Sequence, residues 1–208
     1  MIRLIALTFM LLVCATGFAP AQAQDVLGLP STDGRGNELL KTDEVLRTQY
    51  ANQYYNRCAI QRTPGISGAA QDETCMCHTV HMVEHLRTEE LQLMGTGKGP
   101  VSVNNKRLFT QVYAPCMEFV VSEIEEKACY DVTRVKDAVR TKEQYEATCM
   151  CVGQNIARSL RETASIQMEA MMVRNPGITD ATQAIMSSPE YSRERATIIS
   201  QCLRTYVK

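Results

Sequence analysis

The sequence predicts an all-α protein made of two tandem, disulfide-stapled helical units, and three observations predict it. The first is a four-cysteine pattern that occurs twice. After Cys14, the cysteines fall as Cys58, Cys75, Cys77, Cys116 and then Cys129, Cys149, Cys151, Cys202, giving C-x16-C-x-C-x38-C followed by C-x19-C-x-C-x50-C. The second is that the flanks repeat with the cysteines: Thr74-Cys75-Met76-Cys77 matches Thr148-Cys149-Met150-Cys151, and Leu86-Arg87 matches Leu160-Arg161. The third is apolar spacing in steps of three and four, with no convincing alternating pattern anywhere. A fixed pattern of this length appearing twice points to an internal duplication, with units at 42–117 and 118–208.

The chain opens with a short positive start, Met1-Ile2-Arg3, and an almost unbroken apolar run from Leu4 to Ala15. Pro20 and the small-x-small triplet Ala21-Gln22-Ala23 follow, which together form a cleavable signal peptide over 1–23 with Gln24 as the mature start. The run is too short for a mature membrane span, which needs about 20 residues. A lipid anchor at Cys14 fits less well, because Val13 precedes it and the Ala-x-Ala site would have no use. Export of this type suggests a Gram-negative periplasm. Loss of the leader removes Arg3 and no acidic residue, taking the formal charge from −1 to −2. Without a basic run, or a basic face interleaved with aromatics, the chain does not read as a nucleic-acid binder. No second long apolar segment follows, so no transmembrane segment is expected in the mature chain.

An even cysteine count in an exported chain reads as disulfides. A bond within C-x-C would close a very small strained ring. On a helix the two members project about 200° apart, so each C-x-C ties a central helix to the helices before and after it. Two pairings per unit remain open on this argument.

The elements follow in order. Gly28, Pro30, Ser31, Gly34 and Gly36 mark 24–41 as a flexible lead. Thr42 or Asp43 caps a helix to about Arg62, with Leu46, Tyr50, Tyr54 and Cys58 on one stripe and Thr63-Pro64-Gly65 as the stop. The first C-x-C helix is expected from about Gln71 to Met94. Asn105 to Tyr130 forms a helix broken or kinked at Pro115, and Val132, Val135 and Val139 mark a short helix; Val101 to Val103 is ambiguous. Thr141 and Gln144 make a capping-box pattern, opening a helix through Tyr145, Cys149, Val152, Ile156 and Leu160 to Arg174, where Asn175-Pro176-Gly177 ends it. Ser188 and Pro189 open the last helix, carrying Ile198, Ile199, Cys202 and Tyr206.

The residues that could carry chemistry cluster after the first C-x-C. All three histidines, His78, His81 and His85, lie there, spanning about 60° of helical arc. Histidines at i and i+4 are a workable pair for zinc or copper. The second unit places Val152, Asn155 and Ser159 at these positions, so the unit's fold does not require the histidines. Met76, Met82 and Met150 with the C-x-C sulfurs would suit Cu(I), but lone cysteines at matched positions favour structural bonds. Met168, Met171 and Met172 read as core filling.

His81-Met82-Val83-Glu84-His85 also fits H-x-x-E-H and resembles the inverzincin zinc peptidases. That resemblance implies His81, His85 and Glu162 as zinc ligands and Glu84 as the group that activates water. It covers five residues and one distant glutamate, and those enzymes have larger mixed α/β units without a duplicated cysteine frame. The expected function is therefore an exported, non-enzymatic helical scaffold that binds another periplasmic or envelope protein. Metal binding through His78, His81 and His85 ranks second and a zinc peptidase third; no cofactor is needed by the first reading.

Overall fold

The computed structural model describes residues 35–99 and 105–207. The segments expected to be a signal peptide and the first part of the lead, and Val101 to Val103, lie outside the described residues. Those described are helical, with no strand among them, in the order α1 (Arg35–Ile60), α2 (Gly68–His85), α3 (Thr88–Thr96), α4 (Asn105–Arg107), α5 (Met117–Cys129), α6 (Thr133–Ala138), α7 (Lys142–Arg174), α8 (Ala181–Met186) and α9 (Pro189–Tyr206).

Local sequence sets most boundaries. Helix α7 begins where the Thr141 hydroxyl accepts from the Gln144 amide at 3.2 Å, while the Gln144 side chain accepts from the Arg140 amide at 3.1 Å. Ser188 caps α9 by accepting from the Tyr191 amide at 3.1 Å, with Pro189 in the first turn. Ser67 does the same for α2, accepting from Ala70 at 3.1 Å. Helix α1 is described from Arg35, so 35–41 of the segment expected to be a flexible lead is helical, in keeping with Glu38 to Lys41 being good helix formers.

Between α4 and α5 the chain passes through a π-helical turn, Leu108–Tyr113, and a 3-10 turn, Ala114–Cys116. Pro115 sits in the second. It has no N–H to give and its ring crowds the carbonyl four residues back, so the helical path bends there.

One expected helix is divided. Rather than running from Gln71 to Met94, α2 stops at His85, Leu86 turns to extended backbone (φ −97, ψ 148), and α3 restarts at Thr88. The restart is held by Glu90, whose carboxylate accepts from the Arg87 amide at 2.8 Å and from Arg107 at 3.2 Å. The break lets α3 fold back against α1. Gly95 permits the approach: a Cβ there would lie 2.8 Å from the Tyr50 carbonyl oxygen. Gly97, at φ 78, ends α3 in the left-handed conformation that suits glycine.

Two apolar clusters result. A small one joins Met82, Leu86, Leu91, Met94, Leu108 and Val112. A larger one gathers Met117, Val121, Val152, Ile156, Leu160, Met168, Ile185, Ile199 and their neighbours around α7. Beside the larger cluster, buried Glu125 on α5 accepts from the Tyr191 hydroxyl at 2.6 Å and pairs with Arg195, joining α5 to α9. Burial and that carboxylate hold the Tyr191 phenol well above its usual range.

Four cysteine pairs lie at disulfide distance: Cys58–Cys75, Cys77–Cys116, Cys129–Cys149 and Cys151–Cys202. Of the two open pairings, each half takes the same one. The first member of C-x-C bonds backward and the second forward, so α1 is tied to α2, α2 to the 3-10 turn that leads into α5, α5 to α7, and α7 to α9. The closed loops of 17, 39, 20 and 51 residues each contribute about 3 to 4 kcal/mol in the chain-entropy picture.

Candidate functional site

The three histidines share one face of α2, but the structure divides them. His78 turns inward. Its Nδ1 is 3.0 Å from the Tyr54 hydroxyl on α1, and its ring lies 4.8 Å from that of Tyr113. Part of the residue reaches solvent, yet the imidazole is enclosed, and burial, with a smaller contribution from His81, drives its pKa down to about 3. Burial likewise pushes the Tyr113 phenol up to about 12. A neutral, hydrogen-bonded histidine in this setting stitches α2 to α1. Tyr54 was legible as a partner only in part, since it lies one turn before Cys58 on the stripe that the Cys58–Cys75 bond draws against α2.

His81 and His85 come together. Their rings are parallel within 9°, with centroids 5.7 Å apart. Glu84 lies between them: its Oε2 is 3.5 Å from His81 Nδ1 and 3.8 Å from His85 Nε2. The donor atoms of His81, Glu84 and His85 are all within 4.8 Å of one another. His81 Nδ1 is itself buried and has no hydrogen-bond partner among the described residues. Glu84, which the peptidase resemblance makes a water-activating base, is thus placed as a third donor.

Glu162 does not join this group. It is exposed on α7 and belongs to neither of the two ligand clusters among the described residues, so the ligand set implied by the peptidase resemblance is not assembled. The second cluster is Cys77, His81 and Cys116. Its two sulfurs are joined in a disulfide, which leaves no thiolate for a soft metal. Of the methionines considered for copper, Met82 is core and Met76 and Met150 are exposed. Met168 and Met172 are buried in the larger cluster, with Met171 packed against it.

The position corresponding to each histidine in α7 is filled differently. Val152 is core. Asn155 donates to the Cys151 carbonyl at 2.8 Å and accepts from Arg158 at 3.3 Å. The Ser159 hydroxyl donates to Glu194 on α9. Among the described residues no helix is long and apolar enough to cross a membrane. Compared with known proteins, the chain matches no family model, no curated protein and no solved structure.

Proposed function

We propose that this chain is an exported, periplasmic, non-enzymatic helical scaffold that binds another envelope protein. In this reading it arose by duplication of a four-cysteine unit, with copies at 42–117 and 118–208, and is released by cleavage after Ala23. The single observation that carries the reading is the lacing: each C-x-C helix is bonded once to an element before it and once to an element after it. A frame fixed in this way gives up little conformational entropy when it docks, and bonds of this kind persist in oxidising compartments. Identical wiring around two T-C-M-C segments supports the duplication.

The frame also presents apolar side chains to solvent. Met76 (58 % exposed) and Val80 (50 %) lie one turn apart on α2, and Ile166 (71 %) and Val173 (73 %) lie two turns apart on α7. Aliphatic and methionine side chains on a rigid helix suit contact with a protein partner.

Site-specific photocrosslinking in the native host tests the proposal. A crosslinker at position 76, 80, 166 or 173 should give one recurring adduct with a single protein, weakened by Met76→Asp/Val80→Asp or Ile166→Asp/Val173→Asp. The same crosslinker at Lys142, which is highly exposed, serves as the control. Adducts no stronger than this control at all four positions would count against a scaffold that works through these faces.

A further inference from the structure

We propose that His81, Glu84 and His85 bind one divalent transition ion, Zn2+ or Cu2+, with a coordination position left open to solvent. This inference is independent of the scaffold reading.

The geometry carries it. Residues at i, i+3 and i+4 fall within about 100° of helical arc, so the three donors overlie one turn of α2. Four-coordinate zinc holds nitrogen and oxygen ligands at about 2.0 to 2.2 Å, which sets neighbouring ligand atoms about 3.3 to 3.5 Å apart. The contacts from Glu84 Oε2 are 3.5 Å to His81 Nδ1 and 3.8 Å to His85 Nε2. Those lengths are beyond a good N–H···O hydrogen bond but fit two ligands sharing an ion after a small side-chain adjustment.

The buried His81 nitrogen, which makes no hydrogen bond among the described residues, is the second observation. A buried imidazole nitrogen without a partner costs free energy, and a metal ion in front of it would satisfy it. The matched positions on α7 make the contrast: Asn155, Arg158 and Ser159 stand at the same offsets from Cys151, and their polar groups bond to one another, to the backbone or to Glu194.

The donor chemistry selects the ion. Two imidazoles and one carboxylate suit borderline divalent ions and not Mg2+ or Ca2+, which take oxygen. Sulfur does not enter, because Cys77 and Cys116 are bonded to each other. The Glu84 and His85 side chains are 56 % and 36 % exposed, so an ion can approach from their side, with the buried His81 Nδ1 behind it, and a water or a donor from another protein can complete its shell.

The test uses the full mature chain, oxidised and stripped of metal, with Zn2+ alone as the probe. Native mass spectrometry and imidazole NMR together should show one ion per chain, with His81 and His85 signals moving and His78 unmoved. His85→Ala and Glu84→Gln, checked for native circular dichroism, should each weaken binding by at least about tenfold, and Mg2+ should not compete. No saturable binding, or binding unchanged in both variants, would overturn the proposal. Binding that appears only after reduction and survives His85→Ala would also overturn it, assigning the ion to Cys77, His81 and Cys116.

Discussion

The two C-x-C helices share their wiring and differ in the residues one and two turns beyond it. In α2 the residues after Cys77 are His78, His81, Glu84 and His85; in α7 those after Cys151 are Val152, Asn155, Arg158 and Ser159. Helix α9 crosses α7 and supplies Glu194 to Ser159, so the polar groups on that face are used inside the protein. On α2 the corresponding groups lie against one another, and the buried His81 Nδ1 has no hydrogen bond among the described residues. The helices differ in length too: α7 runs 33 residues and α2 runs 18 before Leu86 breaks it. The same cross-links can therefore support one helix whose polar groups bond to the backbone and to a neighbouring helix, and another whose polar groups are grouped with one another. The frame fixes position, and the side chains beyond it decide use.

Breaking the frame should give the largest effect. Cys77→Ala/Cys116→Ala and Cys151→Ala/Cys202→Ala remove loops of 39 and 51 residues and should each cost about 4 kcal/mol in denaturant unfolding. If one costs nearly nothing while the other unfolds the chain, the two staples are not equivalent.

The next difference lies at the helix crossings. A Cβ on Gly153 would stand 2.5 Å from the Ser122 carbonyl oxygen of α5, whereas α2 has Thr79 at the same offset from its C-x-C, bonded back to Cys75 at 2.7 Å. Gly153→Ala should cost about 1 to 3 kcal/mol by forcing α5 and α7 apart. Thr79→Ala should stay within about 1 kcal/mol. Equal costs would mean that the tight crossing is not particular to α7.

A pH-dependent difference comes from His78. With the folded imidazole held down at about 3 and the unfolded one near about 6.5, the unfolded chain takes up the proton first as pH falls. The His78 contribution is whole above about pH 6.5 and is lost toward about pH 3, at up to about 1.4 kcal/mol per unit. His78→Phe should flatten the denaturant midpoint over that window. An unchanged slope would place the acid sensitivity elsewhere. The smallest expected effects are at the caps: Thr141→Ala and Ser67→Ala should each cost about 1 kcal/mol in thermal unfolding.

What the sequence made legible was local. Thr141, Ser188, Pro189 and the bend at Pro115 act within a turn of themselves, and the cysteine spacing exposes the repeated frame while leaving two pairings open in each half. The break at Leu86 was hidden because it depends on Glu90 reaching Arg107, and on Gly95 meeting Tyr50, across long stretches of chain. Helix α8 was missed for its shortness, although Asp180 caps it by accepting from Gln183 at 2.9 Å. The histidine cluster was visible as a cluster, but not its division. Composition cannot show that Tyr54 claims His78 or that Glu84 stands between the other two.

The chemistry of T-C-M-C allows a direct test of the shared wiring on which this comparison stands. Met76 and Met150 lie between the two members of each pair, so cyanogen bromide cleavage of the unreduced protein separates Cys75 from Cys77 and Cys149 from Cys151. Mass spectrometry should find peptide 77–82 bonded to 95–117, and 151–168 bonded to 187–208, with the peptides ending at 76 and 150 each closed on themselves. Peptide 77–82 bonded to the one ending at 76, or 151–168 bonded to 118–150, would contradict the account.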